Sequence, residues 1–309
     1  MVERAALDVS FSIVIVNMNA ADFLEKCLQT IAETSADVPV QTILVDNGST
    51  DRSLDVARQA PLPVTVLRQD RNIGYVPANN VGLREATGKY VMFLNNDTEL
   101  HPGCLSELAR FLDGRLDVGA VSPQILNSDG TDQGCARRFP SVANGLFGRR
   151  SVLTRLFPNN PWSKRFMVGR HHQGDDPFEV EILSAACLVV RTDLAKQLRG
   201  MDEDFQLYWV CAEMCSRVRA AGYTVNCVPR ARLTHHEGKG GSTKTFRQRS
   251  RMTIAFNRDA YLAYVKVHGL SPRNPRRWFA AAALSVRAGC LMALQLLRPQ
   301  RATSSGGRN

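Results

Sequence analysis

The sequence predicts an α/β fold, a mostly parallel sheet flanked by helices, followed by a C-terminal helical extension. Four short apolar runs, Phe11–Val16, Thr42–Val45, Val64–Leu67 and Tyr90–Leu94, recur within the first hundred residues. Segments of helical periodicity separate them, and strands that alternate with helices specify a parallel sheet with right-handed crossovers. The composition then changes near the end. From Lys244 onward 13 Lys and Arg stand against one acid, Asp259, whereas the preceding residues sum to −2 within a net charge of +10.

The elements follow in order. Phe11–Val16 runs out into Asn17-Met18-Asn19, and Ala20–Ala32 places Phe23, Leu24, Cys27, Leu28 and Ile31 at helical spacing. The second strand ends at Asp46-Asn47-Gly48-Ser49-Thr50-Asp51, where Thr50 or Asp51 is suited to cap the next helix. The third leads through Asp70-Arg71-Asn72-Ile73-Gly74 to a helix near Ala78–Glu85. The fourth, an unbroken apolar stretch of the kind buried on both faces, leaves on Asn95-Asn96-Asp97-Thr98.

Turns that follow parallel strands share one edge of the sheet, so Asn17, Asp46, Arg71 and Asp97 are expected to converge. An acid there can accept the ring N–H of a base, an arginine can hold phosphate oxygens, and a second acid can share a divalent cation with a diphosphate. Asn-Asn-Asp is also an ordinary turn sequence. The combination nevertheless suits a nucleoside diphosphate better than a bare phosphate. No Gly-x-x-x-x-Gly-Lys-Ser/Thr loop is present, and no Gly-x-Gly-x-x-Gly follows the first strand, which disfavours a P-loop ATPase and an NAD-type domain.

The 309 residues, 44% hydrophobic, are enough for a substantial core. Residues 1–6 carry no apolar stretch, and Phe11–Val16 is too short to cross a membrane, so residence in the cytoplasm is expected. The eight cysteines show no Cys-x-x-Cys and no zinc-finger spacing with histidine.

Several motifs occur together and in sequence: Ser12-Ile13-Val14-Ile15-Val16-Asn17; Val45-Asp46-Asn47-Gly48-Ser49-Thr50-Asp51; Asn72-x-Gly74 with Asn79-Asn80-x-Gly82; and Phe93-Leu94-Asn95-Asn96-Asp97-Thr98. Ser184–Arg191, Gly200-Met201-Asp202-Glu203-Asp204-Phe205 and His235-His236-x-Gly238 continue the series. Together they resemble family 2 glycosyltransferases of the GT-A (Rossmann-like) fold, in the bacterial rhamnosyltransferase-like branch that builds surface polysaccharides. The resemblance covers roughly Ser12 to Ser242.

The resemblance implies a nucleotide-diphosphate sugar donor in the crevice. It implies Mg or Mn held by Asp97 and completed by His235 or His236, with Asp46 on the base and Arg71 at phosphate. Asn17, Asn72, Gly74 and Asn96 line the same nucleotide-sugar site. Two positions depart from the family pattern. Met18 stands where many relatives have a tyrosine able to stack on the base. Relatives also typically read Phe-Phe-Leu-Tyr-x-Glu-Asp-x-Asp-x-Cys, whose Glu-Asp pair supplies the base, but here Val210 and Cys211 replace the pair and Glu213 retains the third acid. Candidates for the catalytic role are therefore Glu213, Cys211 and Asp204. A positioned base is worth about 10²–10⁴-fold in rate, so a slow enzyme or a catalytically degenerate nucleotide-sugar binder is the alternative.

Residues 1–243 are thus expected to form the transferase domain, with about 9–125 as the nucleotide-sugar half and 126–243 as the acceptor half. In the loop-rich 127–176 segment, Trp162 and Phe166 could stack on a sugar or lipid. Gly238–Ser242 suits closure over phosphate. Residues 244–309 form the basic extension: an amphipathic helix over Thr245–His268, then a nearly all-apolar one over Trp278–Leu297 that carries Arg287 at its centre. That arginine disfavours a membrane span and leaves a helix lying in the membrane interface, a helix packed in a dimer, or an ordinary terminal helix covering the main core. The expected partners are the donor, a saccharide or lipid-linked saccharide acceptor, and an anionic membrane surface on the inner face of the cell membrane, with no nucleic acid.

Overall fold

The computed structural model describes residues 9–134, 136–139, 156–157, 161, 166, 168–172, 174–237 and 245–297. Trp162, Gly238–Ser242 and the 302–309 tail lie outside the described residues. The first half runs β1 (Phe11–Asn17), α1 (Ala21–Thr34), β2 (Val40–Asp46), α2 (Ser53–Arg58), β3 (Val64–Arg68), α3 (Tyr75–Glu85) and β4 (Tyr90–Asn95). Its strands lie in the order β3-β2-β1-β4 and pair in parallel. Asp51 does cap, but it serves two helices: its carboxylate accepts the amide of Ala21 at 3.0 Å, opening α1, and that of Ser53 at 3.0 Å, opening α2.

The second half makes the sheet mixed. β5 (Thr98–Leu100), α4 (Cys104–Asp113), β6 (Val118–Leu126), β7 (Phe178–Glu179), β8 (Cys187–Arg191), α5 (Thr192–Gln197), α6 (Val210–Ala220) and β9 (Thr224–His235) complete the order β3-β2-β1-β4-β8-β6-β9-β5, with β7 on β9. β8 is antiparallel to both β4 and β6. The reason is directional: β6 ends at the carboxyl edge, so a strand that starts from that same edge has to run back across the sheet.

Both faces of the sheet are covered, which accounts for the unbroken apolar runs. Ile13 and Ile15 of β1 pack in one core with Leu24, Leu28 and Ile31 of α1 and Leu105 and Leu108 of α4. Val14 points the other way, into a core with Val76 and Leu83 of α3, Leu194 of α5 and Met214 and Val218 of α6. Phe166, expected as a stacking platform, is only 5% exposed and belongs to the interior.

Two long helices follow, α7 (Phe246–Val267) and α8 (Pro275–Leu297). Thr245 and Gln248 close a reciprocal capping box at the start of α7. Its single acid, Asp259, is fully buried and accepts the backbone amides of Gln206 at 3.2 Å, Leu207 at 3.1 Å and Tyr208 at 3.0 Å. That carboxylate fixes the loop leading into α6. Asp259→Ala leaves those donors buried without it, and a loss of about 3 kcal/mol or more is expected, read as a lowered urea midpoint.

Candidate active site

At the carboxyl edge of the parallel half, Asn17 and Asp46 are register partners. A chain of side-chain contacts fixes this floor. Asn96 Nδ2 donates to Asn17 Oδ1 at 2.7 Å, Asn17 Nδ2 donates to Ser49 Oγ at 3.3 Å, and the Ser49 amide donates to Asp46 Oδ2 at 3.2 Å. The other carboxylate oxygen, Asp46 Oδ1, is buried with no hydrogen-bond partner among the described residues. A buried acceptor left open is costly unless a ligand donor fills it.

The neighbouring turn is tied to the same floor. Asn47 accepts the amide of Ile73 at 3.0 Å and donates to Asn72 at 3.1 Å and to the Gly74 carbonyl at 3.2 Å. Gly74 sits at φ 96, a conformation that favours glycine, and its amide donates to Asn72 at 2.8 Å. Gly48, at φ 80, lets the Arg71 backbone approach so closely that a Cβ there would lie 3.1 Å from Arg71 Cα. Arg71 itself is exposed at this edge. Met18, 44% exposed, receives the Asn72 amide on its sulfur at 2.9 Å, so an apolar thioether borders the Asn72 turn.

Asp97 meets His235. Thr98 of β5 pairs with His235 of β9, which brings the histidine ring beside the acid, Nε2 to Oδ1 at 3.2 Å. Gln133 sets the tautomer. Its amide nitrogen donates to Asn127 at 3.1 Å and to the His235 carbonyl at 3.4 Å, so its oxygen, 2.8 Å from His235 Nδ1, is the acceptor there. In the neutral ring the proton sits on Nδ1, and Nε2, 3.4 Å from the Asn95 amide nitrogen, directs its lone pair between that amide and the Asp97 carboxylate. Such a pair of groups is suited to share a cation. Neighbouring ligands on an octahedral ion with bonds near 2.1 Å stand about 3 Å apart, close to the observed gap. Among the described residues no three His, Cys, Asp or Glu side chains form a ready-made cage. The pair suits Mg or Mn that keeps several waters or takes diphosphate oxygens.

His236 is not part of this pair. Its ring nitrogens are taken by Glu99 and by Ser128 Oγ, each at 2.8 Å, and only its backbone amide reaches Asp97, through the carbonyl.

The three catalytic candidates separate as well. Glu213 is buried, and both its oxygens are held by Arg217 of the next turn, at 2.6 and 2.8 Å, while that guanidinium also caps the carbonyls of Leu198 and Gly200. It is a structural ion pair beneath the Gly200 turn. Asp204 is 67% exposed, and its pairing with Lys266 at 2.7 Å holds the carboxyl below its usual range. Cys211, half-buried in the first turn of α6, has its thiol pushed up by burial, with Arg137 opposing only in part. At neutral pH it is a thiol, which accepts no proton.

Tyr75 is the residue the motifs did not single out. Its buried hydroxyl lies 3.2 Å from Asn95 Oδ1 and 3.0 Å from the Ala185 carbonyl, and burial together with Cys211 and Asp97 raises its pKa well above the ordinary value. It therefore bridges the metal-side turn and the segment before β8. Its place, immediately after the Asn72-x-Gly74 motif and in the first turn of α3, is the signal that was available.

A parallel half-sheet thus gathers an open acid, an exposed arginine and an acid–histidine pair at one edge, an arrangement suited to a nucleotide-dependent transferase of GT-A type. Residues 12–171 match the family model described as glycosyl transferase family 2, and the chain belongs to that family. It is a glycosyltransferase, rhamnosyltransferase-like over nearly its whole length. It is 29% identical over 300 residues, 94% of this chain and 95% of the relative, to an N-acetylglucosaminyl-diphospho-decaprenol L-rhamnosyltransferase of Mycobacterium tuberculosis (strain ATCC 25618 / H37Rv). It is 28% identical over 233 residues to the O-antigen biosynthesis protein RfbC of Myxococcus xanthus, covering 73% of this chain and 17% of that protein. The fold is shared with the mannosyltransferase PcManGT from Pyrobaculum calidifontis, solved with GDP-Man and Mn2+, at TM-score 0.57 and 19% identity, covering 96% of this chain and 76% of that one. S. aureus TarS in complex with UDP-GlcNAc aligns at TM-score 0.53 and 15% identity, covering 91% of this chain and 83% of that one.

The Glu213 placement gives a test. Glu213→Gln should destabilise the fold by about 3 kcal/mol, the cost of breaking a buried pair, while nucleotide affinity of the folded protein stays within about twofold. Denaturant melts and calorimetry read the two quantities separately.

Proposed function

We propose that this chain transfers a sugar from a nucleoside diphosphate donor to a hydroxyl of a saccharide or lipid-linked saccharide, with a divalent cation, by a single in-line displacement that inverts the anomeric centre. The observation that carries this reading is the Asp97–His235 pair, in which the imidazole Nε2 and a carboxylate oxygen stand 3.2 Å apart. Asp97 and His235 would hold Mg or Mn, and that ion would offset the charge that develops on the departing diphosphate. Asp46 Oδ1, buried and open, would accept the ring N–H of the base, with Met18 packing beside it. Arg71 would reach the phosphates from the exposed side. The lipid-linked acceptor is supported by the M. tuberculosis relative, whose name places its sugar on a diphospho-decaprenol carrier. Such an acceptor would set the enzyme on the inner face of the cell membrane.

The chain's own residues set the rate. The attacking hydroxyl must lose its proton as charge develops, yet Glu213 is committed to Arg217, Asp204 to Lys266, and Cys211 is a thiol. We infer that Cys211 makes the chain a slow transferase.

Two measurements test the reading. Asp97→Ala should abolish the Mn-dependent part of UDP or dTDP binding, and unchanged calorimetric affinity would remove the metal role. Cys211→Asp, offered UDP- and dTDP-sugars with a lipid-linked saccharide, should raise kcat by about 10²-fold or more with donor KM unchanged. No gain in kcat would mean that the proton leaves by another route.

A further inference from the structure

α8 is built inside out. Its polar side chains face α7: Arg277 donates to the Tyr261 hydroxyl at 2.7 Å, Arg287 to Asn257 Oδ1 at 2.9 Å, and Gln295 to Thr253 Oγ1 at 2.9 Å. Arg287 also lies over the Phe256 ring at 5.3 Å and is sufficiently desolvated that its pKa falls. The opposite face carries Trp278, Phe279, Ala282, Ala283, Val286, Cys290, Ala293 and Leu294, with Ser285 its one hydroxyl and no charge after Arg276. Trp278, Phe279, Val286 and Leu294 are 69%, 61%, 66% and 54% exposed. In water a helix on a protein surface turns its apolar stripe inward and its polar face outward. The reverse arrangement is stable where the outer medium is apolar.

The charge around this face selects the medium. Within residues 245–297 the only acid, Asp259, is fully buried, while Arg247, Arg251, Arg273 and Arg276 are exposed. Two copies brought together by this face would set cation against cation, whereas anionic headgroups would neutralise them. The face from Trp278 to Leu294 is roughly 24 Å long at 1.5 Å per residue. It cannot span as part of a bundle, because its partner α7 carries Arg249, Arg258, Asp259 and Lys266 and is tied to the 206–208 loop.

We propose that α8 lies in the plane of an anionic lipid bilayer, its Trp278–Leu294 face sunk into the acyl boundary and its arginine-bearing face held by α7. The inference rests on the peripheral-membrane part of the reading above and specifies its contact surface. Aromatic residues at the N-terminal end and the flanking arginines are suited to the headgroup level, and the uncharged middle to the layer beneath.

The test is co-sedimentation of the full chain with vesicles of phosphatidylglycerol and phosphatidylethanolamine, against vesicles of phosphatidylcholine alone, with donor hydrolysis measured on the same samples in buffer. Wild type should pellet with the anionic vesicles and be released as salt rises. Val286→Asp and, separately, Ala282→Asp should weaken this partition at least about tenfold, since a charge in the apolar layer is strongly disfavoured. Both should leave hydrolysis unchanged, because neither residue touches the crevice. Wild type that stays in the supernatant at low salt overturns the proposal, as do charged variants that pellet like wild type. Conversion of a dimer to monomers by Val286→Asp without lipid would assign the face to a second copy, which also overturns it. Vesicle binding with neither donor hydrolysis nor transfer to a lipid-linked saccharide, by wild type or Cys211→Asp, would sink the transferase reading and leave this contact standing.

Discussion

The site depends on the pairing of a three-residue strand. β5 is only Thr98–Leu100, yet its antiparallel register with β9 sets Thr98 opposite His235, and so places the histidine beside Asp97 from the far end of the domain. Local contacts hold so short a strand in place: the Thr98 hydroxyl donates to the Asn95 carbonyl at 2.7 Å, and the Leu100 amide donates to Thr30 Oγ1 of α1 at 3.1 Å. The turn from β4 into β5 is therefore folded back over the first helix. The whole surroundings of the Asp97–His235 pair follow from that fold-back, including the carbonyl of Asp97 that anchors the amide of His236.

The nucleotide half was legible because its logic is topological. Parallel strands place their following turns on one edge whatever the side chains, and runs such as Tyr90–Leu94 are distinctive because both sheet faces bury them. The second half was less legible, since β8 arrives antiparallel and a segment of irregular length decides where it starts. Two misplacements had readable causes. Glu213 and Arg217 stand four apart, the spacing of a helical ion pair, and the pair consumes the acid that motif comparison leaves as a base candidate. His235 and His236 are neighbours at a strand end, where successive side chains point to opposite faces, so only one could meet Asp97. Gln133 and Tyr75 carry no such signature. Their roles come from contacts over 102 and 110 residues of chain.

Substitution at one position does not dissolve a site whose other parts are held by independent contacts. The Asn96–Asn17–Ser49–Asp46 chain, the Gln133–His235 contact and the Asn47 bridge to Ile73, Asn72 and Gly74 involve no atom of Cys211. In the proposed reading, nucleotide binding and proton removal are thus physically separable. A carboxylate at 211 bears on the second far more than on the first.

The C-terminal pair of helices couples the outer surface to that same position. Arg287 of α8 lies over Phe256 of α7, Phe256 packs edge-on against Tyr208 at 5.2 Å and Trp209 at 5.8 Å, and Asp259, one turn along α7, gathers the amides of residues 206–208. Trp209, at φ 61, is the residue from which α6 starts, and Cys211 sits in that first turn. A residue held in the left-handed region persists only where its surroundings over-determine it. Here the surroundings are the aromatic stack and the buried carboxylate. The arginine at the centre of α8 is therefore part of the packing that orients the first turn of α6. Under the proposed reading, with a lipid-linked acceptor and α8 on the bilayer, the height of position 211 above the lipid would be set by α8, α7 and the 206–209 turn rather than by the sheet.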